Sequence, residues 1–163
     1  EIIKYANSNP ECMGMGTTLV VAILTDDFLI FGNIGDSSGF VMKNRKLHKV
    51  TKDHTFVNVL VESGELTEEE AQNHPKKNVL MRALGASDKQ ELDKFAVETD
   101  VDAIVLCSDG LTNMLSVEQI ESVLNDEELD IETKLKKLVR KCNSRGGTDN
   151  ISVAYLVKES NGL

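Results

Sequence analysis

The sequence predicts an α+β domain whose β part is antiparallel, and three observations carry that prediction. Four short runs of β-branched and aliphatic residues follow one another between residues 17 and 50, separated only by tight turns. Parallel pairing would need crossovers of about a dozen residues or more, which this stretch lacks. Two later segments, starting near Val117 and Ile131, space their apolar residues at the helical period.

The elements follow in order. Thr17 to Leu24 is β-branched and aliphatic and reads as a buried strand. Thr25-Asp26-Asp27 turns the chain, and Phe28 to Ile34 returns it as the second arm of a hairpin. Gly35-Asp36-Ser37-Ser38-Gly39 is a sharp break. A third strand is expected near Phe40 to Met42, a turn at Asn44-Arg45, and a fourth strand over Leu47 to Val50. Character changes at His54. Phe56 to Leu60 and Thr67 to Glu70 look helical and polar, and Thr67 with Glu70 has capping-box spacing. Asn73-His74-Pro75 ends that helix, because proline cannot donate to it. Residues 54–78 hold few large apolar side chains and are expected to form a mobile, loosely packed excursion between strands. Strands are expected again over Val79 to Leu84, Phe95 to Thr99 and Ala103 to Cys107. Ser116 with Gln119 caps a helix whose apolar face is Val117, Ile120, Val123 and Leu124. A second helix presents Ile131, Leu135, Leu138, Val139 and Cys142. Its basic stretch, Lys136 to Lys141, suits the negative pole of the helix dipole. Gly146-Gly147 stops it, and Ile151 to Val157 alternates as a final strand.

Composition bounds the function. The 163 residues amount to one domain or the larger part of one, with an ordinary globular balance of 40% hydrophobic and 28% charged residues. The first residue is Glu1 rather than Met, which fits a fragment or a processed chain. The longest apolar run, Leu19 to Leu24, is far shorter than the roughly 20 residues that span a bilayer. No stretch reads as a secretory leader. Eighteen Lys and Arg stand against 27 Asp and Glu, a net charge of −9 that disfavours general nucleic-acid binding. Cys12, Cys107 and Cys142 make an odd count with no metal or pairing spacing. They predict reduced thiols in a cytoplasmic chain, with Cys107 and Cys142 in the core. His48, His54 and His74 have no partners at ligand spacing and are expected to be surface or turn residues. Met13-Gly14-Met15-Gly16 is no phosphate loop, since it lacks a downstream Gly-Lys-Ser/Thr and precedes a strand.

Three places share one design, in which an apolar strand meets an aspartate flanked by glycine or a small residue. They are Gly35-Asp36-Ser37, Ser108-Asp109-Gly110 and Gly147-Thr148-Asp149-Asn150. Each alone reads as a turn, because aspartate bonds its own backbone and glycine accepts positive φ. Together, if the strand ends meet, three carboxylates converge, and such a cluster binds protons or cations. An all-oxygen donor set favours Mg²⁺ or Mn²⁺ over zinc. Spacing alone leaves both readings open.

Met15-Gly16-Thr17-Thr18-Leu19, Ile34-Gly35-Asp36-Ser37, Leu106 to Thr112 and Gly146 to Ser152 occur in that order. This ordered set resembles the metal-dependent serine/threonine protein phosphatases of the PP2C type. Thr51-Lys52-Asp53-His54 and the stretches Asn78-Val79-Leu80 and Arg82-Ala83-Leu84-Gly85 are similar to the bacterial members that are paired with a membrane Ser/Thr kinase. The resemblance runs from about Met13 to Val157. It implies a four-layer α-β-β-α sandwich of two antiparallel sheets flanked by helices, with residues 1–163 as the larger, C-terminal part of one catalytic domain. It implies hydrolysis of phosphoserine and phosphothreonine in proteins by a metal-activated water, without a covalent enzyme intermediate. Asp109 and Asp149 match ligands of a binuclear Mn²⁺ or Mg²⁺ centre, and Asp36 matches a ligand of a third, weaker position shared with Asp109. No catalytic residue beyond these ligands is implied. Residues 54–78 fall where the family carries its flap. The implied partners are phosphorylated proteins, among them a cognate kinase and its substrates. No nucleic acid or membrane insertion is expected, and a monomer is.

Two departures stand out. Ser38 occupies the position where the family usually has arginine, so altered local ion pairing is expected. Residues 1–163 hold no counterpart of the family's N-terminal segment. That segment carries a sheet strand, an Asp-Gly-Met-Gly-Gly motif whose aspartate bridges the core metals, and an arginine that grips phosphate. Catalysis is therefore expected of the complete protein. Two other classes compete: a non-catalytic module binding a phosphoprotein or kinase on the same scaffold, and a hydrolase of small phosphate esters.

Overall fold

A computed structural model describes residues 1–158. The elements run α1 (Ile2–Ser8), a 3₁₀ turn (Pro10–Cys12), β1 (Leu19–Leu24), β2 (Phe28–Ile34), β3 (Ser38–Lys43), β4 (Lys46–Lys49), α2 (Phe56–Glu62) and α3 (Glu68–Gln72). They continue with β5 (Asp93–Glu98), β6 (Ala103–Cys107), α4 (Asp109–Thr112), α5 (Val117–Leu124), α6 (Ile131–Ser144) and β7 (Val153–Val157). The fold is α+β, with two antiparallel sheets flanked by helices, ordered β1-β2-β5 and β4-β3-β6-β7.

The four N-terminal strands do not form one sheet. The β1–β2 hairpin belongs to the first and the β3–β4 hairpin to the second. The chain crosses between sheets at Gly35-Asp36-Ser37. Gly35 makes the crossing at φ 102°, where a Cβ would lie 2.3 Å from Thr18 Cγ2, so only glycine fits there. Asn44 and Arg45 both take positive φ in the tight turn between β3 and β4, matching the right-handed twist of the strands.

Strand alternation sorts the apolar side chains into two cores. Leu29 and Phe31 of β2 face Val41 of β3 and Ile104 of β6 between the sheets. On the other side of the four-stranded sheet, Phe40, Val105 and Cys107 pack under Leu111, Ile120, Val123, Leu124, Leu138 and Cys142 of the helices. Both caps expected from the sequence form: Ser116 with Gln119 and Thr67 with Glu70 are reciprocal capping boxes. Leu138 is fully buried at the centre of this layer. Leu138→Ala should therefore cost about 3 kcal/mol, read as a lower urea midpoint at unchanged slope.

Three expectations are corrected. Val79 to Leu84 is not a strand. It makes single bridges, Leu80 to Thr55 and Leu84 to Thr17, and leaves Val79, Leu80 and Met81 exposed. Its β-branched pattern meets no neighbouring strand along which a ladder could run. His54 is not surface material but 7% exposed, whereas His48 is exposed and His74 partly so. The acidic turn at Asp109 is the opening of α4.

The sandwich is open along one side. Leu24 on β1 and Leu156 on β7 lie on the inner faces of edge strands, opposite Leu29 and Ile104, yet are 62% and 60% exposed. They line a cleft of about 440 Å³ with Ile104 at its back. Edge strands offer unpaired backbone groups, and here apolar side chains stand beside them.

Candidate metal centre

The crossing at residues 35–37 sets Asp36 at the end of β2, next to the strand ends that carry the other two acidic motifs. β6 runs antiparallel beside β3, with Cys107 opposite Ser38. The chain after Cys107 therefore emerges near Asp36, and Asp109 starts α4 there. β7 pairs with β6 so that Val153 lies opposite Cys107, which brings the 147–150 loop to the same edge. Ser108 ties the two together: its Oγ donates to the Asn150 carbonyl at 3.1 Å and accepts from the Ser152 N–H at 3.0 Å. Gly110 permits the closest approach, since a Cβ there would lie 2.3 Å from the Asn150 carbonyl oxygen.

Electrostatics links Asp109 to Asp36 on one side and to Asp149 on the other. Asp36 is pushed up to about 6, first by burial and then by the charge of Asp109. Asp109 is pushed up by burial and then by the charge of Asp149, against hydrogen bonds from the Gly110 N–H and from Asn113 Nδ2 at 3.1 Å. Asp109 thus couples to both of its partners. Asp149 is exposed and accepts the Asn150 N–H at 2.7 Å. Among the described residues, no group of three or more His, Cys, Asp and Glu side chains is assembled to hold an ion. The carboxylates meet as neighbours along an edge, not as a closed cage. They fit a hard divalent cation in donor chemistry, because oxygen donors crowded in this way are relieved by positive charge. They supply part of a ligand set.

Sequence reasoning missed two further groups. Lys49 bonds both carboxylate oxygens of Asp53 at 2.7 Å. Of this pair, Asp53 raises Asp36 and Lys49 lowers it. Their only sequence signal was the Thr51-Lys52-Asp53-His54 stretch, which contains Asp53 and follows Lys49 closely. Ser38 is fully buried, and its Oγ has no partner among the described residues. Lys49, at the end of β4, is a cation whose charge reaches Asp36 and Cys107 on either side of Ser38 in the fold. Cys107 lies beneath, its thiol pushed up to about 12 by burial, which makes it a packing group.

The raised Asp36 has a consequence for stability. Its folded value of about 6 exceeds the ordinary 3.8, so its contribution is fully present at acid pH and is lost as pH rises through about 6. Chelator-treated protein should lose urea stability between about pH 4 and 6, and Asp36→Asn should reduce that loss, leaving the part that the raised Asp109 contributes. Equal pH profiles for the two proteins would contradict this account of Asp36.

Comparison with known proteins bears on the family and the fold of the chain. The family model for protein phosphatase 2C matches residues 3–152. The serine/threonine phosphatase stp of Listeria monocytogenes is 42% identical over 160 residues, covering 98% of this chain and 63% of its own length. The crystal structure of the serine/threonine phosphatase Stp1 from Staphylococcus aureus superposes with a TM-score of 0.91 at 32% identity, covering 98% of this chain and 63% of that one. The catalytic domain of the serine/threonine protein phosphatase PstP, solved with two manganese ions, superposes with a TM-score of 0.82 at 32% identity over 97% of this chain and 66% of that one. The chain thus spans a little under two thirds of the length of the curated relatives it matches.

Proposed function

The chain belongs to the protein phosphatase 2C family, and from that premise we propose that the complete protein is a metal-dependent protein serine/threonine phosphatase. The observation that carries this reading is that Asp109 stands within electrostatic reach of both Asp36 and Asp149 at one sheet edge. Asp109 and Asp149 would hold core Mn²⁺ or Mg²⁺ ions, and Asp36 would join Asp109 at a third, weaker position. When bound, such ions lower the pKa of water and polarise phosphoryl oxygens. The protein's own part is to fix the carboxylates. Ser108 and Gly110 lock α4 against the 147–150 loop. Asn113 orients Asp109, and Lys49 with Asp53 sets the charge beside Asp36.

The remaining ligands and the phosphate-gripping arginine would come from a preceding segment like that of the longer relatives. The exposed Leu24 and Leu156 between the unpaired edges of β1 and β7 support a further strand packing there. Residues 54–78, with α2 and α3, would be the flap. Its exposed position beside the site suits a bulky phosphoprotein, and a partner kinase and that kinase's targets are the proposed substrates. The three free cysteines suit a reducing, cytoplasmic setting.

The test is phosphate release by the complete protein from a phosphothreonine peptide and from free nucleotides, titrated with Mn²⁺ and Mg²⁺. Metal-dependent turnover favouring the peptide is expected. Peptide binding without turnover at any metal concentration would point to a binding module, and preference for nucleotides to a small-ester hydrolase.

A further inference from the structure

We propose that His54 is a positioning residue for the Gly35-Asp36 turn, so that the placement of Asp36 for a divalent cation depends on the imidazole; this rests on the reading of Asp36 as a metal ligand. His54 and Gly35 are joined twice. The Gly35 N–H donates to His54 Nδ1 at 3.0 Å, and the His54 N–H donates to the Gly35 carbonyl at 2.9 Å. A backbone N–H can only donate, so Nδ1 accepts and the neutral ring carries its proton on Nε2. That proton points to Asp93 Oδ2 at 2.9 Å; Arg82 Nη1 lies 3.0 Å from the same nitrogen but, with Nε2 protonated, donates to Asp93 and not to the ring. Arg82 Nη1 donates to the other oxygen of Asp93 at 2.8 Å. The bond from His54, and then the Arg82 guanidinium, hold the Asp93 carboxyl below its usual range against the opposing effect of burial.

The imidazole is therefore pinned from behind by β5 and presents one acceptor forward to the turn. Two more bonds show what it connects. The His54 carbonyl accepts the Met81 N–H at 2.8 Å, and the next residue, Thr55, caps α2. The start of the 54–78 excursion and the chain just past its end thus meet at His54. On the far side of the turn, Ser37 Oγ and Thr18 Oγ1 lie 2.9 Å apart. Asp36 sits between two clamps, and His54 is the one that also touches the excursion. A histidine retained only to fill space would not need its acceptor nitrogen. A positioning histidine would need it, and groups behind a metal ligand are typically worth about 10–100-fold in metal affinity.

Two substitutions separate the nitrogens. His54→Asn places a carbonyl oxygen where Nδ1 lies, keeping the acceptor for Gly35 and losing Asp93. His54→Gln reaches toward Asp93 and loses the acceptor. Mn²⁺ binding to the complete, chelator-treated protein is followed by electron paramagnetic resonance, and the binding that disappears in Asp36→Asn is scored. We expect His54→Gln to weaken that binding about tenfold or more and His54→Asn to stay within about threefold of wild type. If Asp36→Asn leaves Mn²⁺ binding unchanged, the reading of Asp36 as a ligand falls and the inference with it. If Asp36→Asn removes a binding step but the two His54 variants behave alike, the positioning role is overturned while that reading stands. Should the variants not fold, the wild-type protein decides. In ¹⁵N spectra, Nδ1 should be unprotonated, and its resonance and the Gly35 amide should shift in step during a Mg²⁺ titration. A protonated Nδ1, or resonances unmoved while Mg²⁺ binds at Asp36, overturns the proposal.

Discussion

Asp109→Asn in the complete protein should lower metal-dependent phosphate release by roughly 10³-fold, the equivalent of about 4 kcal/mol of transition-state stabilisation. Asp109 is the carboxylate that couples to the other two, so removing its charge breaks both proposed metal positions at once. The amide keeps the shape of the side chain and leaves an oxygen to accept from Asn113 Nδ2. Loss of activity would then reflect lost charge and not lost packing. Stability supplies the internal control. Burial and the Asp149 charge both disfavour ionised Asp109, so the neutral variant should be at least as resistant to urea at pH 7 when no divalent ion is present. Turnover within about tenfold of wild type would remove Asp109 from the proposed centre, and equal losses in Asp109→Asn and Asp149→Asn would support a shared one.

Such a test was definable from sequence because the acidic motifs lie where local chemistry is strongest. Strand patterns and glycines bracket each aspartate, and β2 and β6 occupy Phe28–Ile34 and Ala103–Cys107 as their apolar runs predict. Less was legible wherever a long-range partner decides the outcome. Residues 79–84 have strand-like composition but no ladder, because pairing depends on what lies alongside. The two N-terminal hairpins look continuous in sequence, yet the Gly35 crossing sends them to different sheets. His54 stands in the Thr51-Lys52-Asp53-His54 stretch, but nothing in that stretch announces its burial among Gly35, Asp93 and Arg82, which are 19, 39 and 28 residues away. Lys49 and Asp53 likewise show no sign in the sequence that their charges would reach Asp36, which the end of β4 and the chain after it bring about. Local residue types announce a candidate ligand, whereas the groups that hold it in place are chosen by topology.

Gly110→Ala follows from that distinction, because it changes no charge and no ligand. The added Cβ would sit 2.3 Å from the Asn150 carbonyl oxygen and 3.1 Å from its carbon. Backbone cannot swing aside as a side-chain tip can, so α4 and the 147–150 loop must part by about 1 Å, a displacement that can cost about 10²-fold in rate at a positioned site. The Ser108 bonds to Asn150 and Ser152 resist this separation, and overpacking of this kind typically costs about 1–3 kcal/mol of stability. The expected result is roughly 10²-fold weaker phosphate release with clearly weakened Mn²⁺ binding, in a protein that still unfolds cooperatively. Gly14→Ala is the matched control. Gly14 takes φ 80° with nothing within 4 Å of its added Cβ, so that variant should lose about 1 kcal/mol through backbone strain alone and bind Mn²⁺ normally. If Gly110→Ala matched Gly14→Ala in metal affinity, contact between α4 and the 147–150 loop would not be what brings Asp109 and Asp149 together.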